Sequence, residues 1–115
     1  MTLVDILKDI RNKEEKFYKR PKFYTKKIKN VAQRFLPHPK VYLFGSYVKG
    51  TMQPNSDIDV LVIDKDVDHD KRIEVMAEVS KEFKWIHPFE VHVISQQEYD
   101  GWYKNFIKGQ MVEVV

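Results

Sequence analysis

The segment Asp57-Ile58-Asp59-Val60-Leu61-Val62-Ile63 constrains the fold more than any other part of the chain. Its run Val60-Leu61-Val62-Ile63 is apolar at every position. Strand side chains alternate between two faces, so a strand of this kind needs cover on both. Two other short apolar runs read as strands. Lys40–Phe44 follows Pro37-His38-Pro39 and has no room for a helix, and Phe89–Ile94 is the third.

Helical patterns surround these runs. Leu3, Ile6, Leu7, Ile10 and Phe17 fall on one helical face behind Thr2 as a cap, and Pro21 breaks that helix near Arg20. A second helix is predicted from about 22 to 35, with Tyr24, Ile28, Val31, Ala32 and Phe35 as its apolar stripe. Lys71 to about Trp85 reads as a third, with Ile73, Met76, Ala77, Ser80 and Phe83 inward. Gly45–Thr51 is predicted to be a turn and short helix, Gln53-Pro54-Asn55-Ser56 a loop, and Asp64–Asp70 a polar connection. Ser95-Gln96-Gln97-Glu98 has the form of a capping box opening a helix to about Phe106, and Met111–Val115 either adds an edge strand or docks elsewhere. The sum is an α/β fold, a small mixed β-sheet with flanking helices.

The chemistry concentrates at Gly45-Ser46 and Asp57-Ile58-Asp59. In a strand, the two carboxylates of Asp-x-Asp leave on the same side. Anions that close repel, so a divalent cation is their natural company. A small-residue turn between strand and helix lets backbone N–H groups close on a phosphate. A phosphate cradle facing paired carboxylates describes a nucleoside triphosphate site. The chain has no Gly-x-x-x-x-Gly-Lys-Ser/Thr sequence, which argues against a P-loop enzyme.

Gly45-Ser46, Lys49-Gly50-Thr51 and Ser56-Asp57-Ile58-Asp59-Val60-Leu61-Val62 together resemble the nucleotidyltransferase superfamily of the DNA polymerase β type. More narrowly the chain looks like the minimal nucleotidyltransferases (MNT), many of which are antitoxins paired with a HEPN-domain toxin. The resemblance implies a third carboxylate on a later strand, where Phe89-Glu90-Val91-His92-Val93-Ile94 offers Glu90 in place of the commoner Asp. It also implies transfer of a nucleoside monophosphate, AMP from ATP foremost, to a hydroxyl acceptor such as a tyrosine of the toxin.

The site residues expected on this basis divide by role. Asp57, Asp59 and Glu90 are metal ligands and catalytic groups, holding two Mg²⁺ ions that neutralise the triphosphate and the attacking and leaving oxygens. Glu90 is also placed to assist deprotonation of the acceptor. Gly45 lets the backbone approach the triphosphate, Ser46 donates to a phosphate oxygen, and Lys49 reaches a phosphate as a point charge. Ser56 hydrogen-bonds near the nucleotide or serves its turn. His38, His69, His87 and His92 show no metal-ligand spacing, and His92, on the face of Glu90, could sit beside the site but reads as a strand histidine without a catalytic part. Trp85, Trp102 and Tyr103 read as core or interface residues.

Length and composition bound the rest. With 115 residues, 43% of them apolar, the chain suits one domain. It divides into a basic helical segment over 1–38, a motif-bearing core over 39–95, and a C-terminal helix and tail over 96–115. Residues 1–40 carry 12 Lys/Arg against four Asp/Glu, and residues 41–115 carry eight against 13. The basic excess lies outside the motif region and reads either as a solvated helix pair or as a surface for RNA or an acidic partner. There is no cysteine, no apolar run of membrane-spanning length, and no secretory signal pattern, so a cytoplasmic protein without membrane association is expected. Two other functions stay open beside the enzyme: a non-catalytic antitoxin acting by occlusion, and an RNA-directed transferase. Self-association is compatible with all three.

Overall fold

The computed structural model describes residues 2–53 and 56–115, with the side chains of residues 10–14 outside the description. Ile10 of the predicted first stripe and Pro54-Asn55 of the predicted loop therefore lie outside the described residues. Helix α1 spans Leu3–Lys19 and α2 spans Pro21–Ala32. A Thr2–Asp5 capping box opens α1, and Arg20 ends it where Pro21, at the first turn of α2, restarts the chain in a new direction. Strand β1 (Lys40–Phe44) leads through Gly45 into the four-residue α3 (Ser46–Lys49). Then come β2 (Ile58–Asp64), α4 (His69–Glu82) and β3 (Phe89–Ser95). The C-terminal part runs α5 (Gln96–Glu98), a π-helical turn Tyr99–Tyr103, α6 (Lys104–Ile107) and β4 (Met111–Val114).

The sheet is mixed, in the order β3-β2-β1-β4. β1 pairs antiparallel with β2 and with β4, while β2 and β3 run parallel, joined across α4. Met111–Val114 thus takes the edge position expected of the tail. One sheet face carries Val41, Leu43, Ile58, Val60, Val62, Val91 and Val93 against Ile28, Val31, Val75 and Val79 of the helices. The other carries Phe44, Leu61, Ile63 and Ile94 against Ile107, flanked by Tyr99 and Tyr103. β2 is buried at every residue but Asp59, as a strand covered on both faces must be. Asp64 closes this strand from a buried position, its carboxylate accepting the backbone N–H of His38 at 2.8 Å and of Lys65 at 2.6 Å. The 64–70 connection therefore begins inside the fold. Among the described residues no helix is long and apolar enough to cross a membrane.

Several sequence expectations shift. On α1, among the described side chains of the apolar stripe, only Phe17 is buried, edge-on to Tyr24, Phe83 and Phe89 at 4.7–5.4 Å, whereas Leu3, Ile6 and Leu7 are exposed. Periodicity names the face a helix offers, but the described residues supply nothing to cover this one. α2 stops at Ala32, because Arg34 and Phe35 bond back three residues and tighten the last turn. α4 starts at His69 on its Asp68 cap, and its inward residues are Val75 and Val79, with Ile73, Met76 and Ala77 exposed and Ser80 and Phe83 partly buried. Two apolar stripes compete on this helix. The rotation that buries Val75 and Val79 in the core also places Arg72, one turn before Val75, 2.7 Å from Glu98. Trp85 and Trp102 are both exposed, so neither belongs to the core.

These faces predict a contrast in stability. Leu43→Ala removes a fully buried side chain from the sheet and should cost about 2–5 kcal/mol. Ile73→Ala removes an exposed one and should change stability by no more than about 0.5 kcal/mol. Urea unfolding of both variants checks the assignment, which equal costs would contradict.

Candidate active site

The site forms where β1 ends and β2 and β3 begin. Parallel register sets Asp59 opposite Glu90 and Leu61 opposite His92, so Asp59, Glu90 and His92 leave one sheet face together. Antiparallel register sets Phe44 opposite Asp59, which brings the following residue, Gly45, onto the Asp59 carboxylate. Gly45 has φ +71° and ψ −146°, and a Cβ there would overlap Asp59 Oδ2 and stand 3.0 Å from its Cγ. Both the backbone angle and the close approach demand glycine. A carboxylate pressed against a glycine turn is the geometric core of the site.

Around it, His92 Nε2 stands 3.6 Å from Glu90 Oε1 and 3.9 Å from Asp59 Oδ1. One ligand atom from each of Asp59, Glu90 and His92 lies within 4.8 Å of the others. The π-helical turn brings the Tyr103 hydroxyl to 3.3 Å from His92 Nδ1, and the Phe44 ring packs 5.4 Å from the imidazole. Asp57 is exposed just ahead of β2, outside this close group but near enough for its charge to act on Asp59. Lys49 acts on Asp59 with the opposite sign. Ser46 opens α3 beside Gly45, and Ser56 Oγ accepts the Gln53 N–H at 2.9 Å, fastening the loop before Asp57. Tyr18 holds the same loop, donating to the Ser56 carbonyl at 2.7 Å.

Burial, then the charge of Glu90 and hydrogen bonding with it, then Asp57, raise the Asp59 carboxyl to about 6, while Lys49 pulls it down. Burial lowers the His92 imidazole, against the pull of Glu90, so the ring is neutral at pH 7. Burial raises the Tyr103 phenol, which stays protonated. The donor set therefore fits a divalent ion: carboxylates crowded by like charge beside a neutral imidazole. Sequence reasoning gave His92 no part here. The available signal was its i, i+2 spacing from Glu90 on one strand face.

A family model described as polymerase beta, nucleotidyltransferase matches residues 26–112. A crystal structure of a putative nucleotidyltransferase is 30% identical, covering 78% of this chain and 96% of its own, with a TM-score of 0.64. A toxin–antitoxin solved with AMP-PNP is 25% identical over 79% of this chain and 72% of that one, TM-score 0.59. A complex of a tri-AMPylated Shewanella oneidensis HEPN toxin with its MNT antitoxin shares the fold at 20% identity, covering 81% and 70%, TM-score 0.56. Comparison with curated protein sequences gives no match.

Two substitutions test the site's construction. Gly45→Ala should destabilise by about 1–3 kcal/mol, because it meets both the positive φ and the Asp59 carboxylate. Asp59→Asn should do the reverse in the metal-free protein. The folded state raises this carboxyl from 3.8 to about 6, so it favours the protonated form. Its contribution is fully present below about pH 4 and is lost as pH rises through about 6. The stability advantage of Asp59→Asn over the parent should therefore grow between pH 4 and 7.5, to about 1–2 kcal/mol after solvent screening. Thermal unfolding with a chelator across that range measures it, and an advantage independent of pH contradicts the assignment.

Proposed function

The chain belongs to the polymerase β nucleotidyltransferase family as one of its minimal nucleotidyltransferases, and from that premise we propose that it moves a nucleoside monophosphate, AMP from ATP foremost, onto a hydroxyl acceptor. The observation that carries this reading is Asp59 set in register with Glu90 while Gly45 meets its carboxylate. In this reading Asp57, Asp59 and Glu90 hold two Mg²⁺ ions, which supply charge neutralisation for the triphosphate and for the attacking and leaving oxygens.

The chain's own groups orient the reactants. The Gly45-Ser46 turn, pressed against the Asp59 carboxylate, would offer backbone N–H groups and the Ser46 hydroxyl to the triphosphate. Lys49, already acting electrostatically on Asp59, adds a point charge for a phosphate oxygen. Ser56 holds the loop that presents Asp57. Glu90, the most exposed of the three clustered side chains at 54%, faces the acceptor and takes its hydroxyl proton. Oxygen of the acceptor attacks the α-phosphorus, the bond to the β-phosphate bridge breaks, and pyrophosphate leaves. Positioning and electrostatics carry such transfers, so no covalent enzyme intermediate is needed.

The acceptor in this reading is a tyrosine of a HEPN-type toxin partner. The 25%-identical toxin–antitoxin solved with AMP-PNP supports a toxin partner and an adenine nucleotide, while the HEPN type and the tyrosine acceptor rest on the sequence resemblance. The test incubates the chain with α-labelled ATP and Mg²⁺, with and without the product of the adjacent gene. Label should pass to that product, and Asp57→Asn or Asp59→Asn should lower transfer by at least about 100-fold in a folded protein. Full activity in either folded variant contradicts the assigned chemistry. A partner neutralised without label indicates an occluding antitoxin, and label on added RNA alone indicates an RNA-directed transferase.

A further inference from the structure

The place of His92 carries the proposed function one step further, on the premise that a divalent ion binds Asp59 and Glu90. The imidazole faces two carboxylates yet bonds neither: 3.6 Å to Glu90 and 3.9 Å to Asp59 exceed hydrogen-bond length. Ligands on a first-row ion at about 2.0–2.2 Å stand about 3–4.3 Å apart. At these separations one ion fits between the imidazole and either carboxylate, and the three ligand atoms all lie within 4.8 Å of one another. The other ring nitrogen is also committed. Nδ1 lies 3.3 Å from the Tyr103 hydroxyl, the arrangement by which outer partners fix the tautomer and aim of a metal-binding imidazole. Phe44 at 5.4 Å and Tyr103 at 5.8 Å confine the ring between them. A histidine with no part in the site would need neither the fixed aim nor the position between carboxylates.

We propose that His92 Nε2 is a metal ligand alongside Asp59 and Glu90, making one of the site's ions a mixed nitrogen–oxygen centre that favours Mn²⁺ over Mg²⁺. Mg²⁺ takes oxygen ligands and keeps its water, whereas imidazole suits first-row transition ions. Tyr103 is the positioning residue behind the ligand. Its place on the π-helical turn gives that local widening a purpose.

The experiment uses the full chain with Mn²⁺, alone and with AMP-PNP. Electron spin echo envelope modulation reads nitrogen coupled to the bound ion. Directly coupled ¹⁴N should appear, and labelling the histidines with ¹⁵N should replace it with the ¹⁵N pattern without altering the fold. His92→Gln should abolish the coupling and weaken Mn²⁺ about 10-fold or more, while Mg²⁺ affinity changes less than about threefold. Mn²⁺ held without nitrogen coupling overturns the assignment of His92 and leaves the nucleotidyltransferase reading intact. Coupling that survives His92→Gln comes from another imidazole and overturns it equally. Failure of both ions to bind, even with AMP-PNP, removes the metal site and both readings with it.

Discussion

Two carboxylates face each other at the start of parallel strands, and the rest of the molecule is arranged around that repulsion. Asp59 and Glu90 are register partners, with Asp57 adding a third negative charge nearby. Partial burial denies Asp59 the water that would otherwise screen them, which is why its carboxyl rises to about 6. A fold selected for stability alone would place an apolar pair at this register, as it does at Val60–Val91 and Val62–Val93 on the opposite face. In the proposed function, this crowded anionic pair would gain a cation and a polyphosphate.

The scaffold makes that crowding rigid. β2 is clamped by β1 on one side and β3 on the other, and both sheet faces are covered, so Asp59 cannot relax by moving its backbone. Gly45 closes the remaining direction, with the Asp59 carboxylate occupying the space that a side chain on Gly45 would take. The C-terminal part supplies the outer support. Glu98 accepts the Ser95 N–H in a capping box and bonds Arg72 of α4, which starts the turn that carries Tyr103 to His92. Fold and site thus share the same bonds, and the helix that covers β3 is bonded to the residue that opens the π-helical turn.

Much of this was legible in the sequence, for specific reasons. The apolar run of β2 could only be a doubly covered strand, and Gly45-Ser46 with Asp57-Ile58-Asp59 named the family before any coordinates. The contact between Gly45 and Asp59 was not legible, because it depends on the antiparallel register that pairs Phe44 with Asp59. The place of His92 on the face of Glu90 was legible from strand alternation, but its approach to Asp59 and to Tyr103 depends on strand register and on the distant π-helical turn. The rotation of α4 was not legible, since Ile73-Met76-Ala77 and Val75-Val79 both have helical spacing and only packing in the core distinguishes them. On α1 the apolar row was real but the described fold leaves it uncovered.

The central claim is that this anionic cluster accepts a triphosphate only through a divalent ion. Calorimetric titration of ATP into the chain tests it most directly, once with Mg²⁺ and once with EDTA. The account predicts binding with Mg²⁺ and an affinity at least about 10-fold weaker in EDTA, where Asp57, Asp59, Glu90 and the triphosphate meet as like charges. Equal affinity in the two conditions would contradict it, since the triphosphate would then bind without the ion that the carboxylates are placed to hold.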